Sequence, residues 1–313
     1  MARIVQKFGG TSVADMDHIR NAALRTKAER DAGNEVVVVV SAMSGVTNRL
    51  VDYVNSIGSL HDASEYDTVV SSGEQISSGL MALTLQDMGI PARSWLSWQI
   101  PIETDATHGK ARIRRIVADE IAKRLGEGEV VVVAGFQGVS PDNRITTLGR
   151  GGSDISAVAL AAALEAERCD IYTDVDGVYT SDPRIVSRAQ KLEKITYEEM
   201  LELASQGAKV LQTRAVELAM NRSVRMQVRS TFENLPGTLV VDEDEILEQQ
   251  VVSGIAYSRD EAKITLVSVA DRPGVAAGIF GPLSDANVNV DMIVQNVSDD
   301  GKRTDMTFTV GKL

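Results

Sequence analysis

Lys7, Phe8, Gly9 and Gly10, in the stretch QKFGGTS, follow directly on the apolar start RIV. A lysine ammonium beside two glycines, whose bare backbone lets N–H groups come close, is one way to hold a phosphate. The same composition also makes an ordinary solvated turn. Two further stretches add groups of the same kind. Ser41, Ser44, Gly45 and Thr47 in SAMSGVTN supply hydroxyl and amide donors, and LGRGGSD, residues 148–154, supplies Arg150, Gly151 and Gly152. Ser153 reads as the N-cap of an alanine-rich helix, so Ser153-Asp154 stands at a helix start, where the dipole favours an anion. Each group alone is weak. Together they form an anion cradle with the right chemistry for a phosphoryl donor.

What is missing narrows that chemistry. No G-x-x-x-x-G-K-[ST] occurs, and GRGGSD does not complete G-x-G-x-x-G, so neither familiar phosphate fingerprint is present. His18, His61 and His108 are scattered singly and read as surface or helix-end residues, so no metal site is expected. A net charge of −12 disfavours nucleic acid as a partner. The start MARIVQKF lacks the apolar core of a signal peptide, no run is long enough for a membrane span, and the single Cys169 fits a reducing compartment. A cytoplasmic protein is expected, with Cys169 as a small buried hydrophobe.

The elements that must position these groups follow an alternating pattern. Strands are expected at 3–8, 35–41, 92–97, 129–135 and 169–175, with helices at 15–32, 67–88, 111–125 and 153–167. The pure valine runs imply strands buried on both faces, and the alternation implies an α/β fold, an open and mostly parallel sheet sandwiched by helices. GGTS, SAMSGVTN, GFQGV and DVDGVYTSDPR each follow such a strand. In open α/β sheets ligands bind beyond the carboxyl ends of the strands, so a shared site is a better account of four such loops than four independent turns. Near NLPGTLVVDEDEILEQQ the character changes, and a βαββ pattern begins: AKITLVSVA, a helix from about Pro273 to Ala286, NVNVDMIVQN and RTDMTFTV. The expected division is a larger domain at 1–245, with the shared site, and a smaller one at 246–313.

KFGGTSV, VVSAMSGVTN, SSGEQISSGL, GFQGV, TTLGRGGSD and YTDVDGVYTSDPR resemble, in order and spacing, the motifs of the aspartokinases of the amino-acid kinase superfamily, most closely the bacterial lysine-sensitive ones. The resemblance implies transfer of the ATP γ-phosphoryl to the β-carboxylate of L-aspartate, the first step towards lysine, threonine and methionine, with ATP and Mg²⁺ required. A carboxylate of reference pKa ~3.9 is already ionised at neutral pH and needs no general base. The difficulty is bringing two anions together, which calls for positive charge, Mg²⁺ and alignment. By resemblance, Lys7 sits on the transferring phosphoryl with the amides of Phe8, Gly9, Gly10 and the Ser41 loop around it, and Asp154 orients Lys7. Glu74 and Thr47 meet the substrate ammonium. Arg150 clamps the α-carboxylate, with Gly151, Gly152 and Ser153 beside it. Thr173, Asp174, Tyr179, Arg184, Lys209 and Val210 receive the nucleotide, and Mg²⁺ is held mainly by ATP oxygens, with no protein ligand named.

VADRPGVAAGIFGPLSDANVNVDMIVQNVS resembles the first ACT domain of these enzymes, a partial ferredoxin-like α+β sensor of amino acids. Asp271, Gly274, Val275, Ala276, Gln295 and Asn296 match the positions where effectors such as lysine or threonine sit. The chain stops at GKL, before the unit's second helix and last strand, which puts that inhibition in doubt. It also leaves RTDMTFTV as an expected edge strand, open to pairing with another chain; a homo-oligomer, or pairing with a chain that supplies the rest, is expected. A sister kinase acting on acetylglutamate and a silent amino-acid-binding subunit are the competing readings. SSGEQ and the ACT segment weigh against the first, and retention of Lys7, Glu74, Arg150 and Asp154 against the second.

Overall fold

A computed structural model describes residues 1–58, 61–208, 210–246, 252–257, 261–286, 288, 290–297 and 303–312. The chain divides into two compact units, Met1–Ala256 and Tyr257–Leu313. The first runs past the 245/246 division because Ile255 N–H still donates to Thr180 O at 2.8 Å.

The first unit opens with β1 (Arg3–Phe8), α1 (Met16–Asp31), β2 (Glu35–Val40), α2 (Val46–Ile57), α3 (Ala63–Val70), α4 (Ser72–Asp87) and β3 (Ala92–Trp95). Then come β4 (Ile102–Thr104), β5 (Ile113–Ile116), α5 (Asp119–Gly126), β6 (Val130–Ala134), β7 (Gln137–Val139), β8 (Ile145–Thr147) and α6 (Gly152–Ala163). It closes with β9 (Arg168–Thr173), β10 (Lys194–Thr196), α7 (Tyr197–Ser205), α8 (Thr213–Arg222), β11 (Met226–Ser230) and β12 (Thr238–Val241). Eight strands form one sheet in the order β10-β12-β11-β9-β1-β2-β6-β3, parallel except between β11 and β12. The expected mostly parallel sheet is therefore the one the chain builds.

Both faces of the valine strands are covered. Val37, Val39, Val131 and Val133 join one core with residues of α5, α6, α7 and α8, while Val36, Val38, Val40, Val130 and Val132 join another with α1 and α4. Odd and even positions point to opposite faces, so a strand with a helix layer on each side has no polar position left. Cys169 is wholly buried in the first of these cores, as expected, and burial pushes its thiol up well above the ordinary range.

Three local expectations are corrected. The segment 67–88 is two helices broken at Ser71, where Ser71 Oγ and Ser72 Oγ turn back onto the carbonyls of Thr68 and Val69. The helix expected over 111–125 starts only at Asp119. Ile113 and Ile116 belong instead to β5, whose Arg115 lies opposite Glu103 of β4. Ser153 is not a cap either: Gly151, left-handed at φ 73°, is the N-cap of α6, and Ser153 falls inside the first turn. β5, β4, β7 and β8 form, in that order, a separate four-stranded sheet.

The second unit comprises β13 (Glu261–Ala270), α9 (Val275–Asp285), β14 (Val290–Val297) and β15 (Arg303–Gly311), the expected βαββ order. RTDMTFTV is not an edge. β15 is the central strand, between β13 and β14, because its alternate residues Thr304, Met306 and Phe308 are buried and it loses most solvent in the middle. Pro273 precedes the helix, whose N-cap is the left-handed Gly274.

Candidate active site

β9, β1, β2 and β6 are consecutive parallel neighbours, so the loops that follow them leave the sheet at one rim. The hydrogen-bond ladder continues one residue beyond the strands there: Gly9 N–H donates to Tyr172 O (3.3 Å), Ser41 N–H to Phe8 O (3.0 Å) and Gly135 N–H to Val40 O (3.0 Å). GGTS, SAMSGVTN, GFQGV and DVDG are thus tethered side by side.

Strand alternation turns Lys7, like Val5, towards the layer that contains α6. Asp154 in the first turn of α6 meets it, with Lys7 Nζ 2.6 Å from Asp154 Oδ1 and both side chains largely buried. The contact pairs charges without the alignment of a hydrogen bond. A Cβ on Gly9 would lie 3.3 Å from Lys7 Nζ, so the glycine keeps open the approach to the ammonium. Gly10 starts the short 3-10 turn Gly10–Val13, and Phe8 stacks on Tyr172 beneath the rim, with ring centroids 4.7 Å apart.

Glu74, in the first turn of α4, is 3 % exposed. Ala42 N–H, in the loop that starts at Ser41, donates to its Oε1 at 3.0 Å, while Oε2 is buried without a partner. Burial pushes its pKa up to about 7. The two segments meet this closely because residue 73 is glycine: a Cβ there would lie 2.7 Å from Ala42 Cβ. Thr47 stands half-buried in the first turn of α2, after the left-handed Gly45, and α2 packs on α3 and α4.

Arg150 is exposed, with no hydrogen bond or ion pair among the described residues, so its guanidinium is available to a ligand. Its loop is fixed around it. Leu148 N–H donates to Phe136 O (2.9 Å), and a Cβ on Gly151 would lie 1.9 Å from Gln212 Cγ, room that only glycine leaves. Gly152 and Ser153 pack against the GFQGV loop, in which Phe136 holds φ 69°, a conformation rare for a bulky side chain. In the sequence, Phe136 is marked only by its place in a glycine-flanked loop after a valine strand.

On the other side of Lys7, Thr173 ends β9 and its hydroxyl donates to the exposed Asp174 (3.0 Å). Tyr179 donates to Asp176 (2.9 Å), and Arg184 forks onto Asp182 (3.0 and 2.8 Å). Val210 packs its side chain against the core rather than outward, and Lys209 lies outside the described residues. In the second unit Asp271, Gly274, Val275 and Ala276 form the β13–α9 turn. Gln295 and Asn296 are exposed on β14. Ala270 and Asn296 both pair near the start of β15, opposite Arg303 and Asp305, so these residues share one end of the sheet, about 10 Å across. Among the described residues no three His, Cys, Asp or Glu side chains gather as a metal cluster, and no helix is long and apolar enough to cross a membrane.

Residues 2–230 match the Amino acid kinase family and residues 263–313 the ACT domain. An aspartate kinase of Stutzerimonas stutzeri is 57 % identical over 311 residues, covering 99 % of this chain and 75 % of its own length. The chain belongs to the amino acid kinase family, among its aspartate kinases. Solved aspartate kinases share its fold. The Synechocystis enzyme is 44 % identical at a TM-score of 0.70, over 98 % of this chain and 52 % of that one. E. coli aspartokinase III, in complex with aspartate and ADP, is 30 % identical at a TM-score of 0.81, over 99 % and 79 %. The E. coli enzyme has also been solved with lysine and aspartate. This aspartate kinase chain therefore spans about three quarters of its Stutzerimonas relative and about half of the Synechocystis one.

Proposed function

We propose that this chain transfers the γ-phosphoryl group of ATP to the β-carboxylate of L-aspartate, giving 4-phospho-L-aspartate and ADP. The observation that carries the reading is the buried Glu74 carboxyl, bonded through Ala42 N–H to the loop beside Lys7 and left with one unpartnered oxygen. Burial that lifts this carboxyl to about 7 disfavours its charge while the site is empty, and a cation beside Oε2, the substrate ammonium, would offset that cost and favour the carboxylate. Arg150 takes the α-carboxylate with its planar fork of donors, flanked by Gly151, Gly152 and Ser153, and Thr47 completes the ammonium end. The β-carboxylate then faces Lys7.

A carboxylate oxygen forms the new bond to the γ-phosphorus as the bond to the ADP oxygen breaks, and the electron pair leaves with ADP. No proton is removed, so the lack of a histidine or cysteine set at this rim is consistent with the step. Lys7, oriented by Asp154, offsets charge on the phosphoryl oxygens, and the amides of Gly10 and of Ser44 and Gly45 in the loop after Ser41 face them. The N–H groups of Phe8, Gly9 and Ser41 stay in the sheet ladder and fix the loops beside them. Thr173, Asp174, Tyr179, Arg184 and the Lys209-Val210 segment take the rest of the nucleotide. Lys7 gives the rim a cation that would face phosphate oxygens rather than a metal, so the nucleotide's own oxygens would hold Mg²⁺. That ion, when bound, screens phosphate charge.

Asp271, Gly274, Val275, Ala276, Gln295 and Asn296 are the proposed seat of an amino-acid effector, lysine or threonine, with the chain acting in the cytoplasm as part of an oligomer. The solved E. coli relative holding lysine supports lysine as the first effector to try. Trapping the acyl phosphate with hydroxylamine tests the catalytic reading. Hydroxamate is expected with L-aspartate and ATP, and none with acetylglutamate or without an acid; the reverse selectivity refutes it.

A further inference from the structure

A second buried carboxyl lies behind the amino-acid pocket, on α3. Asp67 is wholly buried, and its two oxygens face four donors. Thr147 Oγ1 donates to Oδ1 (2.6 Å) and Thr147 N–H to Oδ2 (3.0 Å). Gly109 N–H is shared between both oxygens (3.1 and 3.0 Å), and His108 Nδ1 lies 2.8 Å from Oδ2. Four directed contacts from two segments hold α3 in one place relative to β8.

Each end of this knot leads into the pocket. On one side α3 ends at Val70, and the short Ser71 junction leads into α4, whose first turn carries Glu74. Gln137 Nε2 of β7 adds a second strut to that junction, donating to Ser71 O at 3.2 Å. On the other side Thr147 ends β8 and the Arg150 loop begins. Segment 107–111 splints the two: Ala111 N–H donates to Thr147 O (2.9 Å), and a Cβ on Gly149 would lie 3.1 Å from Gly109 O. Arg214 of α8 closes the far side, donating to Leu148 O (2.7 Å) and Ala111 O (3.1 Å). None of these contacts reaches Lys7 or the β9 rim.

We infer that Asp67, with His108 and Thr147, is a positioning unit that sets the separation of Glu74 from Arg150 and thereby the fit of the amino-acid substrate. The inference rests on the reading of that pocket given above. Asp67 touches no substrate; it acts through the two arms that do. Loosening it therefore weakens the hold on aspartate and spares the hold on ATP.

Asp67→Asn keeps the shape and one acceptor but turns an NH₂ towards N–H donors. Thr147→Val removes only the Oγ1 donor, and Thr147→Ser keeps it. Each is made in the 313-residue chain and assayed by hydroxamate trapping, with circular dichroism and Tm alongside. Asp67→Asn is expected to raise KM for aspartate about tenfold or more while KM for ATP stays within about twofold. Thr147→Val moves KM the same way by less, and Thr147→Ser restores the wild-type value. If both KM values rise in step, or KM for aspartate holds while Tm falls, Asp67 is scaffold alone and the inference is overturned. Should Asp67→Asn fail to fold, the Thr147→Val and Thr147→Ser pair decides by the same criterion. A wild-type chain that makes no hydroxamate from aspartate refutes the pocket reading and the positioning role with it. Normal wild-type turnover with unchanged variants refutes the positioning role only.

Discussion

Replacing Glu74 by Gln is expected to strengthen the fold and weaken the acceptor site at once. Burial lifts the Glu74 pKa from an ordinary 4.5 to about 7, which corresponds to about 3 kcal/mol held against the carboxylate. The folded-state value lies above the unfolded one. Between those two values the unfolded chain gives up a proton that the fold retains, so stability falls as pH rises across that window and the whole penalty is in place above it. Glutamine carries no charge and escapes the penalty, while its amide oxygen still accepts from Ala42 N–H. The expected gain in unfolding free energy is about 2–3 kcal/mol at pH 8, shrinking to under about 1 kcal/mol at pH 5. Urea unfolding with unchanged m reads it. Aspartate brings the compensating ammonium, so wild-type kcat/KM for aspartate is expected to fall about tenfold per pH unit on the acid side of the Glu74 pKa. The variant loses that slope and at least about tenfold in affinity, the worth of one charge-assisted bond. A variant less stable than wild type at pH 8 refutes the burial penalty on Glu74, and one that keeps the acid-side slope refutes its assignment to the substrate ammonium.

Lys7→Ala is expected to lower kcat about 10²- to 10³-fold in the hydroxamate assay with the fold retained by circular dichroism, because it removes a charge used as phosphoryl transfer proceeds. Tm is expected to fall as well, since Asp154 is left largely buried without its cation. Gly73→Ala pushes Ala42 away from Glu74, since the new methyl would start 2.7 Å from Ala42 Cβ. Its KM for aspartate is expected to rise while KM for ATP stays near wild type. Solution mass measured with and without lysine is expected to show an oligomer whose size or stability responds to lysine; a monomer indifferent to it removes the effector proposal.

The parts of the fold legible in the sequence are those where burial is complete. Val36 to Val40 and Val130 to Val133 have a helix layer on each side, so their strands stand out as unbroken apolar runs. β4, β7 and β8 are three residues each, too short for any period to show in the sequence. Ile113 and Ile116 are spaced like one face of a helix and so concealed β5. The pairing of Lys7 with Asp154 is implied by the resemblance to the aspartokinases; taken residue by residue, the sequence offers only a lysine near a strand end and an aspartate at a helix start. That Glu74 is buried is not legible, since it depends on Gly73 lying against Ala42 from another element. His108 looked like a surface residue for the same reason: its partner Asp67 is 41 positions away in the chain.

The two ends of the proposed pocket rest on different sheets. Lys7 and the phosphate-side amides grow from the eight-stranded one, whereas Arg150 follows a strand of the four-stranded one. Such a division separates the power to cleave ATP from the choice of acid. Laboratory selection for a new acceptor would do best to draw its variation from 102–116 and 137–150, leaving β1, β2, β6 and β9 as they are.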